Sequence, residues 1–110
     1  MIPPSTSDVI ERARAVIGRF KVERAILFGS FATGRQSARS DVDLLLVVDT
    51  NDRFFDRYDG ILADLQSAFP DRDVELLIYT PDELKVMSQR PFIARVLKEG
   101  KVIHEHGRAA

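Results

Sequence analysis

The chain has 110 residues, of which 45% are hydrophobic and 30% charged, with a formal net charge of −1. This is the balance of one small globular domain and not of a disordered chain. The absence of cysteine excludes disulfides, thiol catalysis and cysteine-ligated zinc or iron–sulfur centres. No apolar run approaches the ~18 residues that a membrane span needs. Residues 1–7 lack the basic-then-apolar order of a secretory leader, so a cytoplasmic location and no membrane partner are expected.

The charge is unevenly spread. Residues 1–40 carry a net +4, residues 41–83 a net −9 and residues 84–110 a net +4. The basic ends are not Lys/Arg runs interleaved with aromatics, so no direct nucleic-acid contact is expected. The acidic middle would repel phosphate unless a divalent cation neutralised it. A core of this size leaves useful burial to a partner, and a homo-oligomer is compatible with the sequence.

Val9, Ile10, Ala13, Val16, Ile17 and Phe20 recur at helical spacing, with Ser7 or Asp8 as cap and Gly18 near the end. Arg24–Phe28 is a short apolar strand. Gly29-Ser30 breaks it, a short helix follows, and residues 34–40 form a polar loop. Asp41–Val48 is the strongest strand signal, and its continuous apolar part predicts cover on both faces. Phe54, Phe55, Tyr58, Ile61, Leu62, Leu65 and Phe69 set the apolar stripe of a second helix, ended by Pro70-Asp71. Val74–Tyr79 is a third strand.

Thr80-Pro81-Asp82-Glu83 is a helix start with a cap, a first-position proline and a capping-box glutamate. Pro91 opens a last helix carrying Phe92, Ile93, Val96 and Leu97, which Gly100 ends; Val102-Ile103 suggests a final short strand. His104-Glu105-His106 reads as a plain surface segment. The order describes a single α/β (α+β) domain over residues 1–110 with a small sheet.

The chemistry is concentrated at Gly29-Ser30 and Ser40-Asp41-Val42-Asp43. Residues two apart on a strand share a face, so Asp41 and Asp43 are expected side by side at a strand start. Two such carboxylates repel each other, and a hard divalent cation such as Mg²⁺ relieves the repulsion. The Gly29 bend allows close approach to the backbone, and the N–H groups at a helix start with the Ser30 hydroxyl favour phosphate oxygens. Glu75, in the next strand, supplies a third carboxylate as metal ligand or base, with Asp73 as its rival on the same face. Arg35 and Arg39 are the nearby cations for phosphate.

The residues Gly29-Ser30, then Asp41 and Asp43 before an apolar strand, then Glu75, resemble the signature of the DNA polymerase β-like nucleotidyltransferase superfamily. The match covers residues 24–79 and is closest to the minimal nucleotidyltransferases that partner HEPN-domain ribonuclease toxins. The resemblance implies a small mixed sheet flanked by helices. It implies that Gly29 and Ser30 contact the triphosphate of ATP, that Asp41 and Asp43 bind one or two Mg²⁺, and that Glu75 is the third carboxylate. The implied activity is AMP transfer to a tyrosine of a partner HEPN toxin, with the chain as antitoxin. Many members carry a basic residue directly after Gly-Ser and another two positions on; here these are Phe31 and Thr33. Two alternatives therefore stand beside it: an antitoxin that neutralises its partner by binding alone, and a small-molecule nucleotidyltransferase.

Overall fold

The computed structural model describes residues 5–106; residues 1–4, on which part of the leader expectation rests, and residues 107–110 lie outside it. The elements are α1 (Thr6–Ile17), β1 (Arg24–Phe28), α2 (Ser30–Thr33), β2 (Val42–Val47), a 3₁₀ turn (Phe55–Tyr58), α3 (Ile61–Ala68), β3 (Val74–Tyr79), α4 (Pro81–Met87), α5 (Pro91–Glu99) and β4 (Lys101–Glu105). The four strands form one mixed sheet in the order β3-β2-β1-β4. β1 runs antiparallel to both β2 and β4, and β2 runs parallel to β3.

Alternation along the strands splits the core into two layers. Ala25, Leu27, Val42, Leu44 and Leu46 face one side, where they meet α1, α3 and Phe31. Ile26, Phe28, Leu45 and Val47 face the other side, where they meet Ile93 and Val96 of α5. Leu44, Leu45 and Leu46 are all fully buried, the two-sided cover that the unbroken apolar run predicts. Each such side chain contributes about 1.5–3 kcal/mol of transfer free energy.

Several local expectations are corrected. Ser5, not Ser7 or Asp8, caps α1, and its hydroxyl accepts from the Asp8 N–H. The helix expected from Phe54 to Phe69 is broken. Gly60 adopts φ +80°, a conformation costly for other residues, and α3 starts only at Ile61. Tertiary contacts hold the preceding turn off the helix axis. The Ile78 N–H donates to the Tyr58 hydroxyl, and Arg57 pairs with both oxygens of Glu83. Phe55, expected in the core, is 83% exposed, and Phe54 and Leu62 are exposed too. The final strand runs to Glu105, so the His104 segment belongs to the sheet, and its Nε2 lies 3.0 Å from the Val22 carbonyl oxygen.

The start of α4 follows its sequence signal. The Thr80 hydroxyl accepts from the Glu83 N–H, and the Glu83 carboxylate accepts from the Thr80 N–H. β3 is a sheet edge, and side chains occupy part of it: the Val74 N–H donates to Gln66 Oε1, as the Ile78 N–H does to Tyr58. This protects an edge that would otherwise invite strand pairing.

Candidate active site at the end of the sheet

Strand register assembles the site. In the antiparallel pair, Phe28 stands opposite Asp43, so the Gly29-Ser30 bend leaves β1 beside Asp43. In the parallel pair, Asp43 stands beside Glu75. The bend and the two carboxylates therefore share one end of the sheet, on the face covered by α5. Asp41, just before β2, belongs to the same alternation.

Gly29 makes the close approach possible. Its backbone lies at φ 74°, ψ −152°, a region essentially reserved for glycine. A Cβ built there would stand 2.1 Å from Asp43 Oδ2. Carboxylate and bend thus occupy space that any other residue at position 29 would claim. The turn is further held by the Thr33 hydroxyl, which donates to the Gly29 carbonyl at 3.3 Å. The loop leading to Asp41 is anchored from β3's approach: Arg72 Nη1 donates to the Ser40 carbonyl at 2.9 Å, with its guanidinium 5.8 Å from the ring centre of Phe31. Phe31 itself is fully buried in the opposite core layer.

Burial pushes the Asp43 carboxyl up to about 7 from an ordinary 3.8, reinforced by the hydrogen bond and charge of Glu75 and then by the charge of Asp41. A neutral Asp43 carboxyl limits the repulsion between the two side chains. Asp43 Oδ1 is buried and has no hydrogen-bond partner. A buried acceptor without a donor costs about 1–3 kcal/mol, and a cation would satisfy it. Oxygen-only donors that repel one another, with one orphaned oxygen, fit a hard divalent ion. Among the described residues no group of three or more His, Asp or Glu side chains is disposed to hold a metal. The geometry is a carboxylate pair, with Asp41 acting on it through charge.

The pair opens into a cleft of about 420 Å³, within the range of small-molecule sites. Gly29, Ser30, Arg35, Asp43 and Glu75 line it. Asp41, Arg39 and Asp73 are not among its lining residues. Arg39 is exposed in the loop, and the Asp73 carbonyl accepts from the Val42 N–H at 2.9 Å. Of the other lining residues, Phe28 and Thr33 flank the Gly29-Ser30 motif, whereas no motif marks Phe92, Arg95 and Glu99. The last three come from α5, which only the tertiary fold carries to this face. The one available signal was a Phe92, Arg95, Val96, Glu99 stripe at helical spacing.

The family profile "Polymerase beta, Nucleotidyltransferase" matches residues 13–109. The chain belongs to the polymerase beta nucleotidyltransferase family. Its four-stranded mixed sheet with flanking helices is the fold of that family. A toxin–antitoxin crystal structure with AMP-PNP is similar at 25% identity and TM-score 0.59, covering 94% of this chain and 76% of that one. A candidate nucleotidyltransferase from Sulfolobus solfataricus shares the fold at 22% identity and TM-score 0.58, covering 94% of this chain and 83% of that one. No curated protein matches this nucleotidyltransferase domain. No helix among its described residues is long and apolar enough to cross a membrane.

Proposed function

We propose that this nucleotidyltransferase domain transfers AMP from ATP to a hydroxyl of a partner protein and acts as the antitoxin of a toxin–antitoxin pair. The acceptor is a tyrosine of a HEPN-type toxin. The observation that carries the reading is the Asp43–Glu75 pair seated against the Gly29 bend, in a family whose chemistry is nucleotidyl transfer. The similar toxin–antitoxin structure with AMP-PNP supports both the nucleotide and the kind of partner.

In the reaction the acceptor oxygen attacks the α-phosphorus. A new P–O bond forms, the bond to the bridging oxygen of the β-phosphate breaks, and pyrophosphate leaves. Glu75 takes the acceptor's proton, a role suited to its exposed place beside the half-buried Asp43. Gly29 lets the bend lie against Asp43, and the bend with Ser30 and Arg35 contacts the triphosphate oxygens. Asp43 and Glu75 would hold Mg²⁺, with Asp41 adding negative charge beside the pair, and the ion would supply charge neutralisation for the triphosphate when bound. AMP on the toxin hydroxyl adds charge and bulk and blocks the toxin's own site.

A second reading is neutralisation by docking alone, favoured by Phe31, which follows Gly-Ser, is buried in the core and offers no charge to a phosphate. Mass spectrometry of the purified partner after incubation with ATP and Mg²⁺ separates the two. The expected result is a partner carrying one added AMP with wild type and none with Asp43→Asn. An unmodified but inhibited partner would overturn the catalytic reading in favour of docking.

A further inference from the structure

Phe92, Arg95, Val96 and Glu99 fall one turn apart along α5 and form the wall of the cleft facing the Gly29 bend. Val96 is buried against the sheet, but Phe92 is 57% exposed although its spacing belongs to the apolar stripe. Its ring is not loose. It meets Phe28 edge to face at 5.9 Å and 80°, and Phe28 is buried directly opposite Asp43 in the sheet register. An aromatic ring is thereby fixed at the rim of the cleft that holds the carboxylate pair.

Arg95 lies one turn further on. Its side chain makes no ion pair or hydrogen bond among the described residues, even with Glu99 four positions on. An unpaired guanidinium in a cleft that already holds Asp43, Glu75 and Glu99 is not there to balance one close partner. It is free to receive an anion. Phe31, directly after Gly-Ser, points into the opposite core layer and offers the site no charge.

We propose that α5 is the nucleotide-binding wall of this site: Phe92 stacks on the base, and Arg95 binds the triphosphate. This rests on the nucleotidyl-transfer reading. Stacking on an aromatic ring favours a base of any identity, while the guanidinium fork matches phosphate oxygens. The two contributions act on different parts of one ligand, which makes them separable.

The test measures competition against a fluorescent ATP analogue by the full chain with Mg²⁺, using ATP and inorganic tripolyphosphate as competitors. Arg95→Ala is expected to weaken both competitors about tenfold, with Arg95→Lys intermediate. Phe92→Ala is expected to weaken ATP about tenfold and leave tripolyphosphate unchanged, with Phe92→Tyr close to wild type. Circular dichroism of each variant confirms the fold, and the two conservative variants guard against misfolding. Wild-type affinity for both competitors in Arg95→Ala and Phe92→Ala would overturn the assignment of α5 while leaving nucleotidyl transfer intact. Failure of the wild type itself to bind the analogue would overturn both.

Discussion

Replacing Gly29 with alanine probes the closest contact in the site. The new Cβ would meet Asp43 Oδ2 at 2.1 Å, well inside an ordinary carbon–oxygen contact, and crowd Asp43 Cγ at 3.1 Å. Two costs follow. Holding a non-glycine residue at φ 74°, ψ −152° costs about 1–3 kcal/mol. The carboxylate must also rotate away, breaking its alignment with Glu75. The backbone cost alone is a sizeable part of the ~5–15 kcal/mol that stabilises a small domain. It corresponds to a fall in melting temperature of about 5–15 °C. The steric cost disappears when Asp43 is also alanine, whereas the backbone cost does not. Urea denaturation of wild type, Gly29→Ala, Asp43→Ala and the double variant at pH 8 separates the two. The expected cycle shows Gly29→Ala less damaging in the Asp43→Ala background, and the single variant loses nucleotidyl transfer. Equal midpoints for wild type and Gly29→Ala would refute the argument that glycine is required here.

Asp43 has a raised folded-state pKa, so it stabilises the metal-free protein below about pH 4 and that contribution fades as pH rises through about 7. Asp43→Asn should therefore raise the melting temperature in EDTA more at pH 8 than at pH 5, and least near pH 4; a uniform shift across this range would contradict the raised Asp43 pKa. Glu83 behaves oppositely: its pairing with Arg57, then its bond from the Thr80 N–H, hold it at about 2. Its contribution is present above about pH 4.5 and lost as pH falls toward 2. Glu83 is partly exposed, so Glu83→Ala should cost about 1–2 kcal/mol in urea titrations at pH 7, and less at pH 3. Phe55→Ser should leave stability within about 0.5 kcal/mol of wild type, because the ring is on the surface; a loss of several kcal/mol would restore it to the core.

Much of the site was legible because its signals are local. A bend at Gly29-Ser30 and a carboxylate in the second position of each neighbouring strand need only two strand pairings to meet, and the apolar runs beside them are strong strand signals. What periodicity could not supply was which carboxylates face one another. The register joins Asp43 to Glu75 and leaves Asp41 to act by charge. Position 92 shows the opposite failure. Its apolar character fits a core stripe, yet the cleft stops the sheet from covering it. At Phe54-Phe55 the helical spacing of the aromatics continues across the Asp59-Gly60 break that interrupts the helix, so periodicity alone does not show the break. The Arg57–Glu83 pair that holds the interrupted turn joins segments 26 residues apart, a distance at which sequence pattern carries no information.

The central claim is that Asp43 and Glu75 together form the cation site for a bound nucleotide. Electron paramagnetic resonance of Mn²⁺ titrated into the protein with saturating ATP tests it directly. The account predicts protein-dependent loss of the free Mn²⁺ signal with wild type, weakened about tenfold or more in both Asp43→Asn and Glu75→Gln. Undiminished Mn²⁺ binding in either variant would contradict it.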